Sequence, residues 1–130
     1  MASILKVDEM QGVTSAGDIT ITGEGGAATM QLQQGLAKCW HDANNAAVLE
    51  DSLNISSSVD NGTGNYQFNI NNNMSAANYA IPNTTSVAEI SEIDAGDQAT
   101  NRYDIQVFGR QDSFSNADNI TQAVVHGDLA

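Results

Sequence analysis

The sequence predicts an all-β protein: a sandwich-like or barrel-like antiparallel domain preceded by an extended N-terminal β arm. Apolar and polar residues alternate on both sides of a glycine-rich turn within residues 51–70. Turn-forming residues recur about every ten positions along the rest of the chain, as they do between the short strands of sandwiches and barrels. Charged residues make up only 15% of the 130 residues. Asn, Ser, Thr and Gly take their place, which favours turns and uncharged hydrogen bonding.

The strongest local signal is a hairpin over residues 51–70. Apolar residues of one parity stand before the turn and again after it: Leu53, Ile55, Val59, Tyr66, Phe68 and Ile70. Alternation of this kind predicts two strands, each with one buried face. The turn between them contains the Asn61–Gly62 dipeptide, which suits the positive φ angles of tight hairpin turns. We therefore expect all six apolar side chains to point into one core.

Shorter alternations predict the remaining strands. Residues 28–41 fit a short helix or turn that leads into a strand near Trp40, and Gly35 interrupts the helical pattern. After the hairpin, we expect strands in four segments, at residues 79–81, 87–93, 103–107 and 120–125. Pro82 is expected to end the first of these, because proline has no N–H to give to a ladder.

The chain is expected to divide into an arm, residues 1–27, and a β-rich surface domain, residues 28–130. The arm carries two short alternations, at residues 4–7 and 19–22, separated by glycines. Strands this thin do not bury a core by themselves. We therefore expect the arm to pair with a partner or with copies of itself, as an anchoring or oligomerisation segment.

The charge balance excludes several classes of partner. Four basic residues face sixteen acidic ones, for a net charge of −12 at pH 7. The basic residues form no cluster, so binding to nucleic acid or to anionic membrane is not expected. No apolar run reaches the roughly 18 residues of a membrane-spanning helix, and the start lacks the features of a secretory signal. We expect the protein to be made and folded in a cytoplasm.

The titratable residues predict no catalytic site and no cofactor site. Cys39 is expected to be a buried small apolar side chain. His41 lies two positions later, but alternate strand residues do not hold a thiol over an imidazole. His126 is expected to be an exposed tail residue. Neighbouring carboxylates are expected to be solvated surface groups: Asp8 with Glu9, Glu50 with Asp51, and Glu92 with Asp94.

No metal site is predicted, although two acidic loops leave calcium binding open. Residues 60–65 (DNGTGN) and 94–97 (DAGD) offer oxygen ligands, but neither has the full spacing of a calcium-binding loop. Residues 23–26 (GEGG) lack the Lys and Ser or Thr of a phosphate loop. Three aromatic residues are candidates for stacking on sugars: Trp40, Tyr66 and Tyr103. The alternative is that all three belong to the core.

Four stretches of the chain resemble a known domain. They are residues 4–8 (ILKVD), 35–40 (GLAKCW), 51–66 (DSLNISSSVDNGTGNY) and 74–80 (MSAANYA). Together they resemble a domain common in tailed-phage fibre proteins, especially those of phages that infect marine bacteria. In those domains a Lys-x-Trp strand precedes a hairpin with the sequence pattern of residues 51–66, and an Asn-Tyr-Ala strand follows it.

The resemblance implies a non-enzymatic virion protein, usually a homotrimer, displayed on the particle surface. It also implies attachment to capsid or tail proteins, here through residues 1–27, and leaves contact with a host surface glycan open. Typical tail fibres are far longer than this chain. We therefore expect a short fibre or a capsid decoration (head fibre) protein, with a receptor-binding tail fibre or carbohydrate-binding module as the alternative. A glycan-degrading enzyme is a third and weaker reading.

Overall fold

The computed structural model describes residues 4–13, 19–22, 26, 29–86, 89–94, 96–109 and 115–130. Contacts between Cα atoms divide the chain into two compact units, Met1–Leu36 and Ala37–Ala130. The strands of the first unit pair only with each other in the described chain, and the second unit holds the hydrophobic core. The roles predicted for residues 1–27 and 28–130 stay predictions.

The first unit contains one small hairpin. β1 (Thr20–Thr22) pairs antiparallel with β2 (Thr29–Gln31), and the single-turn helix α1 (Leu32–Gly35) follows directly. The alternation at residues 19–22 thus forms a strand that pairs with a second segment of the same chain. Residues 4–7 form no strand in the described chain, and all four side chains are exposed. Alternation alone does not hold so short a segment extended without a neighbouring strand.

The second unit consists of two four-stranded antiparallel sheets. The first sheet has the order β4 (Leu49–Leu53), β3 (Cys39–Ala43), β10 (Thr121–Val125) and β7 (Asn83–Thr85). The second sheet has the order β5 (Ile55–Asp60), β6 (Asn65–Ile70), β9 (Arg102–Phe108) and β8 (Ile90–Ile93). The prediction of an all-β fold is confirmed. Of the two predicted forms, the described strands make the sandwich-like one and close no barrel.

The inner faces of the two sheets supply the core. Alternate residues of β3, β6 and β10 are buried, because successive side chains of a strand point to opposite faces. The buried apolar residues on these strands and on β9 are Cys39, Ala43, Tyr66, Phe68, Ile70, Tyr103, Ile105, Val107, Ala123 and Val125. Burying one large apolar side chain stabilises the fold by about 1.5–3 kcal/mol. The strands predicted at residues 103–107 and 120–125, and the helix leading into the strand of Trp40, are confirmed.

The first half of the predicted hairpin departs from simple alternation. Asn54, with φ of 57°, turns the chain out of the first sheet and into the second. A bulge then interrupts the pairing between Ile55 and Ser57, so Ser58 lies opposite buried Phe68. Val59 therefore points outward and is exposed. The prediction that Val59 shares a buried face with the other apolar residues is wrong, because a bulge shifts the parity of every residue after it. It is also wrong for Leu53, which belongs to the first sheet, points outward beside Trp40 and is 49% exposed.

The segments around Pro82 and the C-terminal end also differ from expectation. Within residues 79–81, only Ala80 takes part in a bridge, to His126, and β7 begins after Pro82. His126 is partly buried and exchanges two backbone hydrogen bonds with Ala80. The prediction of an exposed tail residue is therefore wrong for His126. β8 occupies the second half of the segment predicted at residues 87–93, and residues 87 and 88 lie outside the described chain.

Candidate functional site

The outer face of the first sheet carries two parallel rows of side chains. In the first row, Trp40 on β3 lies between Leu53 on β4 and Val124 on β10. In the second row, one pleat along, the cross-strand partners are Asp51, Asp42, Gln122 and Thr84. These residues point away from the core, because their neighbours Cys39, His41, Ala123 and Val125 are the buried ones. The sheet therefore presents an apolar row beside a polar row.

A groove of about 500 Å³ runs across this face, over β3, β10 and β7. The outward-facing side chains that line it belong to Trp40, Asp42, Thr84, Gln122 and Val124, and Pro82 lines it as well. Trp40 is partly exposed, while Val124 and Leu53 retain 37% and 49% of their full accessibility. The volume falls in the range of small-molecule pockets, about 300–1,000 Å³. We call the surface formed by the two rows the Trp40 face.

The three aromatic candidates for sugar stacking lie in different environments in the structure. Tyr66 and Tyr103 are fully buried on the inner face of the second sheet. As sugar-stacking residues these two predictions are wrong, and their hydroxyls serve the interior instead. Tyr66 accepts a hydrogen bond from the backbone N–H of Asn119, at 3.1 Å between nitrogen and oxygen. Trp40 is the one candidate of the three that faces outward.

His41 belongs to the core of the sandwich. Its ring stacks on Phe68 with centroids 3.6 Å apart and planes 13° apart. Its Nδ1 lies 2.7 Å from the hydroxyl oxygen of Tyr103, and its Nε2 lies 3.3 Å from the hydroxyl oxygen of Thr121. A neutral imidazole satisfies both contacts with one donor and one acceptor nitrogen. Burial lowers the pKa of His41 to about 3, so the ring links the two sheets as a neutral group.

Cys39 lies beside His41 on the same buried face. The prediction of a buried cysteine is confirmed, because its residue accessibility is zero. Burial raises the pKa of the Cys39 thiol to about 12, which keeps it protonated at neutral pH. A nucleophilic cysteine needs the opposite, a lowered pKa and access to substrate. The geometry gives Cys39 and His41 structural roles.

One buried carboxyl stands apart from both rows of the Trp40 face. Asp104 on β9 is only 4% exposed, and its Oδ1 has no hydrogen-bond partner among the described residues. Burial, chiefly, and then the nearby charge of Asp97 raise its pKa to about 6. Perturbed acids of this kind are candidates for functional sites when they line a cleft. Asp104 does not line the groove of the Trp40 face.

The two acidic loops use their carboxylates internally. Asp60 Oδ1 accepts a hydrogen bond of 2.9 Å from the N–H of Gly62, closing the hairpin turn. Asp94 accepts from Gly96 through Oδ1 and from the side chain of Gln106 through Oδ2. Asp97 pairs with Arg102 at 3.0 Å. Within the described ranges, no three His, Cys, Asp or Glu residues gather in a way that would hold a metal ion.

The polar residues of the Trp40 face were beyond the reach of sequence patterns. Asp42 stands two positions after Trp40, and parity puts both on one face of the same strand. Gln122 and Thr84 join them only through the pairing of β10 with β3 and β7. Such pairing between distant strands leaves no local signal in the sequence. Once the strand Thr121–Val125 is known, its alternation does show that Gln122 lies on the outer face of the sheet.

Comparison with known proteins gives no relative for this chain. No protein-family model, curated protein or solved structure matches it. In the described part of the chain, no helix has the length and apolar character needed to cross a bilayer.

Proposed function

We propose that this chain is a non-enzymatic structural protein of a tailed-phage virion. In this proposal it is a short surface fibre or capsid decoration (head fibre) protein, assembled as a homotrimer. Residues 1–27 anchor it to capsid or tail proteins, and residues 28–130 stand on the particle surface as a β domain. The resemblance of residues 35–40, 51–66 and 74–80 to phage fibre domains motivates the virion role.

The observation that carries the assembly part is the exposure of apolar side chains near the N-terminus. Ile4 and Leu5 are 80% and 77% exposed, and Val7, Met10 and Val13 are exposed as well. Five such residues within ten positions are costly to leave in water, at about 25 cal/mol for each Å² of apolar surface. A scattered exposed apolar residue is ordinary, but a contiguous exposed set marks an interaction site. Copies of the same segment, or the wall of a particle, supply the matching surface.

The solution mass of the full chain tests assembly directly. Three copies of 13.7 kDa give about 41 kDa, which is the expected mass by sedimentation equilibrium. Replacing Ile4 and Leu5 together by Asn removes apolar area from the arm and is expected to yield the 13.7 kDa monomer. Val59→Asn is the matched control, because it makes the same kind of change on an exposed residue of the second sheet. A monomeric parent chain would contradict the trimer. Equal masses for the parent and both variants would show that the arm does not contribute to the interface.

A second candidate function is receptor binding, as a tail fibre or a carbohydrate-binding module. The outward position of Trp40, beside polar side chains in a groove, favours a ligand-binding role over that of a coat protein that binds no ligand. Aromatic residues placed this way have a large apolar ring and a polar edge for contact with a ligand. Binding to saccharides by the purified chain supports this candidate, and it does not require that the chain assemble.

A further inference from the structure

We propose that the Trp40 face is a binding site for an uncharged saccharide. The apolar row takes the C–H face of a sugar ring, with the indole of Trp40 as its platform, and the polar row takes the hydroxyls. This inference rests on the second candidate function above. It is independent of the virion and of the trimer, since each folded chain carries the whole face.

The apolar row has the composition of a stacking surface. Trp40 is flanked across the sheet by Leu53 and Val124, each exposed by more than a third. The core does not need this tryptophan, because it points away from the packed inner faces. A tryptophan gives a large, rigid contact area at little cost in side-chain entropy, which is why it dominates many binding sites. The row therefore forms an apolar surface on which a sugar ring can stack.

The polar row lies where the hydroxyls of a stacked ring would be. Two residues along a strand span about 6.7 Å, so the side chains of Asp42 and Gln122 stand roughly one sugar width from Trp40. Within the part of the chain that the structure describes, neither side chain makes a hydrogen bond to another residue. Their oxygens and the amide N–H groups are free to pair with hydroxyls, which both donate and accept.

Charge selects the class of saccharide. The chain has a net charge of −12, and none of the described residues that line the groove is Lys or Arg. Asp42 and Asp51 lie directly opposite each other on the polar row. Sulfated, phosphorylated and uronic acid sugars would meet this negative field without a counter-charge. An uncharged sugar satisfies the carboxylates by donating hydroxyl hydrogens to them.

A cationic ligand is the principal rival, because two carboxylates beside an indole also suit an ammonium group. Ionic strength separates the two. Attraction between exposed charges is screened over about 8 Å at physiological salt, whereas stacking on an indole and hydrogen bonds to an uncharged sugar depend little on salt. Saccharide binding is expected to change less than about twofold between low and high salt, while binding of an ammonium ligand falls steeply over that range.

The single tryptophan makes the test specific, because Trp40 is the only one in the chain. Its emission is recorded during titration of the full-length protein with uncharged di- and trisaccharides built from glucose, galactose, mannose and N-acetylglucosamine, and in parallel with a lysine-rich peptide. The expected result is a saturable shift with at least one saccharide, at millimolar concentration or below. Gln122→Ala is expected to weaken this binding about two- to twelvefold, since a lost hydrogen bond costs about 0.5–1.5 kcal/mol.

Two further variants complete the design. Trp40→Ala, followed by calorimetry or nuclear magnetic resonance, is expected to abolish binding, and an unchanged far-ultraviolet spectrum checks its fold. Glu92→Gln removes an exposed charge from the second sheet and is expected to leave the affinity unchanged. The proposal is overturned if no saccharide in the panel shifts the emission, if only the lysine-rich peptide binds, or if Gln122→Ala and Glu92→Gln behave alike. Failure here leaves the trimer untouched, because the sedimentation experiment reports that separately.

Discussion

Two glycines of the hairpin turn form a matched pair that isolates the cost of a steric overlap. Gly62 and Gly64 both have positive φ, 119° and 67°. A Cβ at Gly62 would meet nothing within 4 Å. A Cβ at Gly64 would stand 2.8 Å from the backbone nitrogen of Ala117 and would overlap the carbonyl oxygen of Val107. Alanine is therefore strained at both positions but collides with backbone only at Gly64.

The losses of unfolding free energy in the two variants should differ chiefly by the cost of the steric overlap at Gly64. Placing a non-glycine residue at positive φ costs about 1–2 kcal/mol at Gly64, where φ lies in the left-handed helical region, and about 1–3 kcal/mol at Gly62, where φ of 119° lies outside it. The overlap at Gly64 adds about 1–3 kcal/mol, since backbone atoms do not rotate away as side chains do. Gly64 is also held at both ends, with its N–H donating to Asp118 Oδ1 and its oxygen accepting from Val107, each at 2.8 Å. We expect Gly64→Ala to lose about 2–5 kcal/mol of unfolding free energy and Gly62→Ala about 1–3 kcal/mol.

Equilibrium unfolding in urea, followed by circular dichroism, measures both losses on the same scale. The two variants share the substitution, the turn and the sign of φ, so effects on the unfolded chain cancel between them. The close approach of β9 and residue 117 to Gly64 predicts the larger loss for Gly64→Ala. Equal losses would refute the reasoning, because they would show that the turn relaxes freely around the added methyl.

Three further predictions concern single residues. Asn54→Ala is expected to lose about 2–4 kcal/mol of unfolding free energy, because it removes the side-chain hydrogen bonds to Lys38 O, Asn72 O and Asn72 N and leaves alanine at positive φ. Asn54→Gly also lacks these bonds but tolerates the positive φ, so in urea unfolding it should be about 1 kcal/mol more stable than Asn54→Ala. For Asp104 the folded pKa, about 6, lies above its usual value of 3.8, so its carboxyl in the unfolded chain ionises first and stability is lost as pH rises between those values. Asp104→Asn is therefore expected to gain about 1–3 kcal/mol over the parent between pH 4 and pH 7, and a constant difference across that range would contradict the burial of this acid. Cys39, whose pKa burial raises to about 12, is expected to react with iodoacetamide at pH 8 only as fast as the native protein opens; rapid alkylation of the folded protein would show an accessible thiol.

Local patterns predicted much of the fold because the features concerned are local. The hairpin turn between β5 and β6 and the alternation of β6 and β9 depend on residues close in the chain, and each appears in the structure where expected, although Gly62 and Gly64, and not Asn61, have the positive φ angles of the turn. Val59 and His126 show where this reasoning stops. A bulge has no clear signature in sequence, and the pairing of His126 with Ala80 joins residues far apart in the chain.

The candidate site shows the same division. Trp40 was named from the sequence as one of three aromatic residues, but nothing local separates it from Tyr66 and Tyr103. Only the burial of β3 on one face, through its pairing with β10 and its packing on the second sheet, leaves Trp40 outside. The groove itself combines β3, β10 and β7, so its shape follows from long-range pairing.

The most direct test of the virion role is the composition of intact particles. Phage particles whose genome encodes this chain are purified on a density gradient and analysed by mass spectrometry, before and after surface proteolysis of the intact particles. The account predicts that the chain sediments with the particles, in a copy number divisible by three, and that protease removes its β domain while the capsid stays whole. A chain that remains in the soluble host fraction, or that is protected inside the particle, would contradict it.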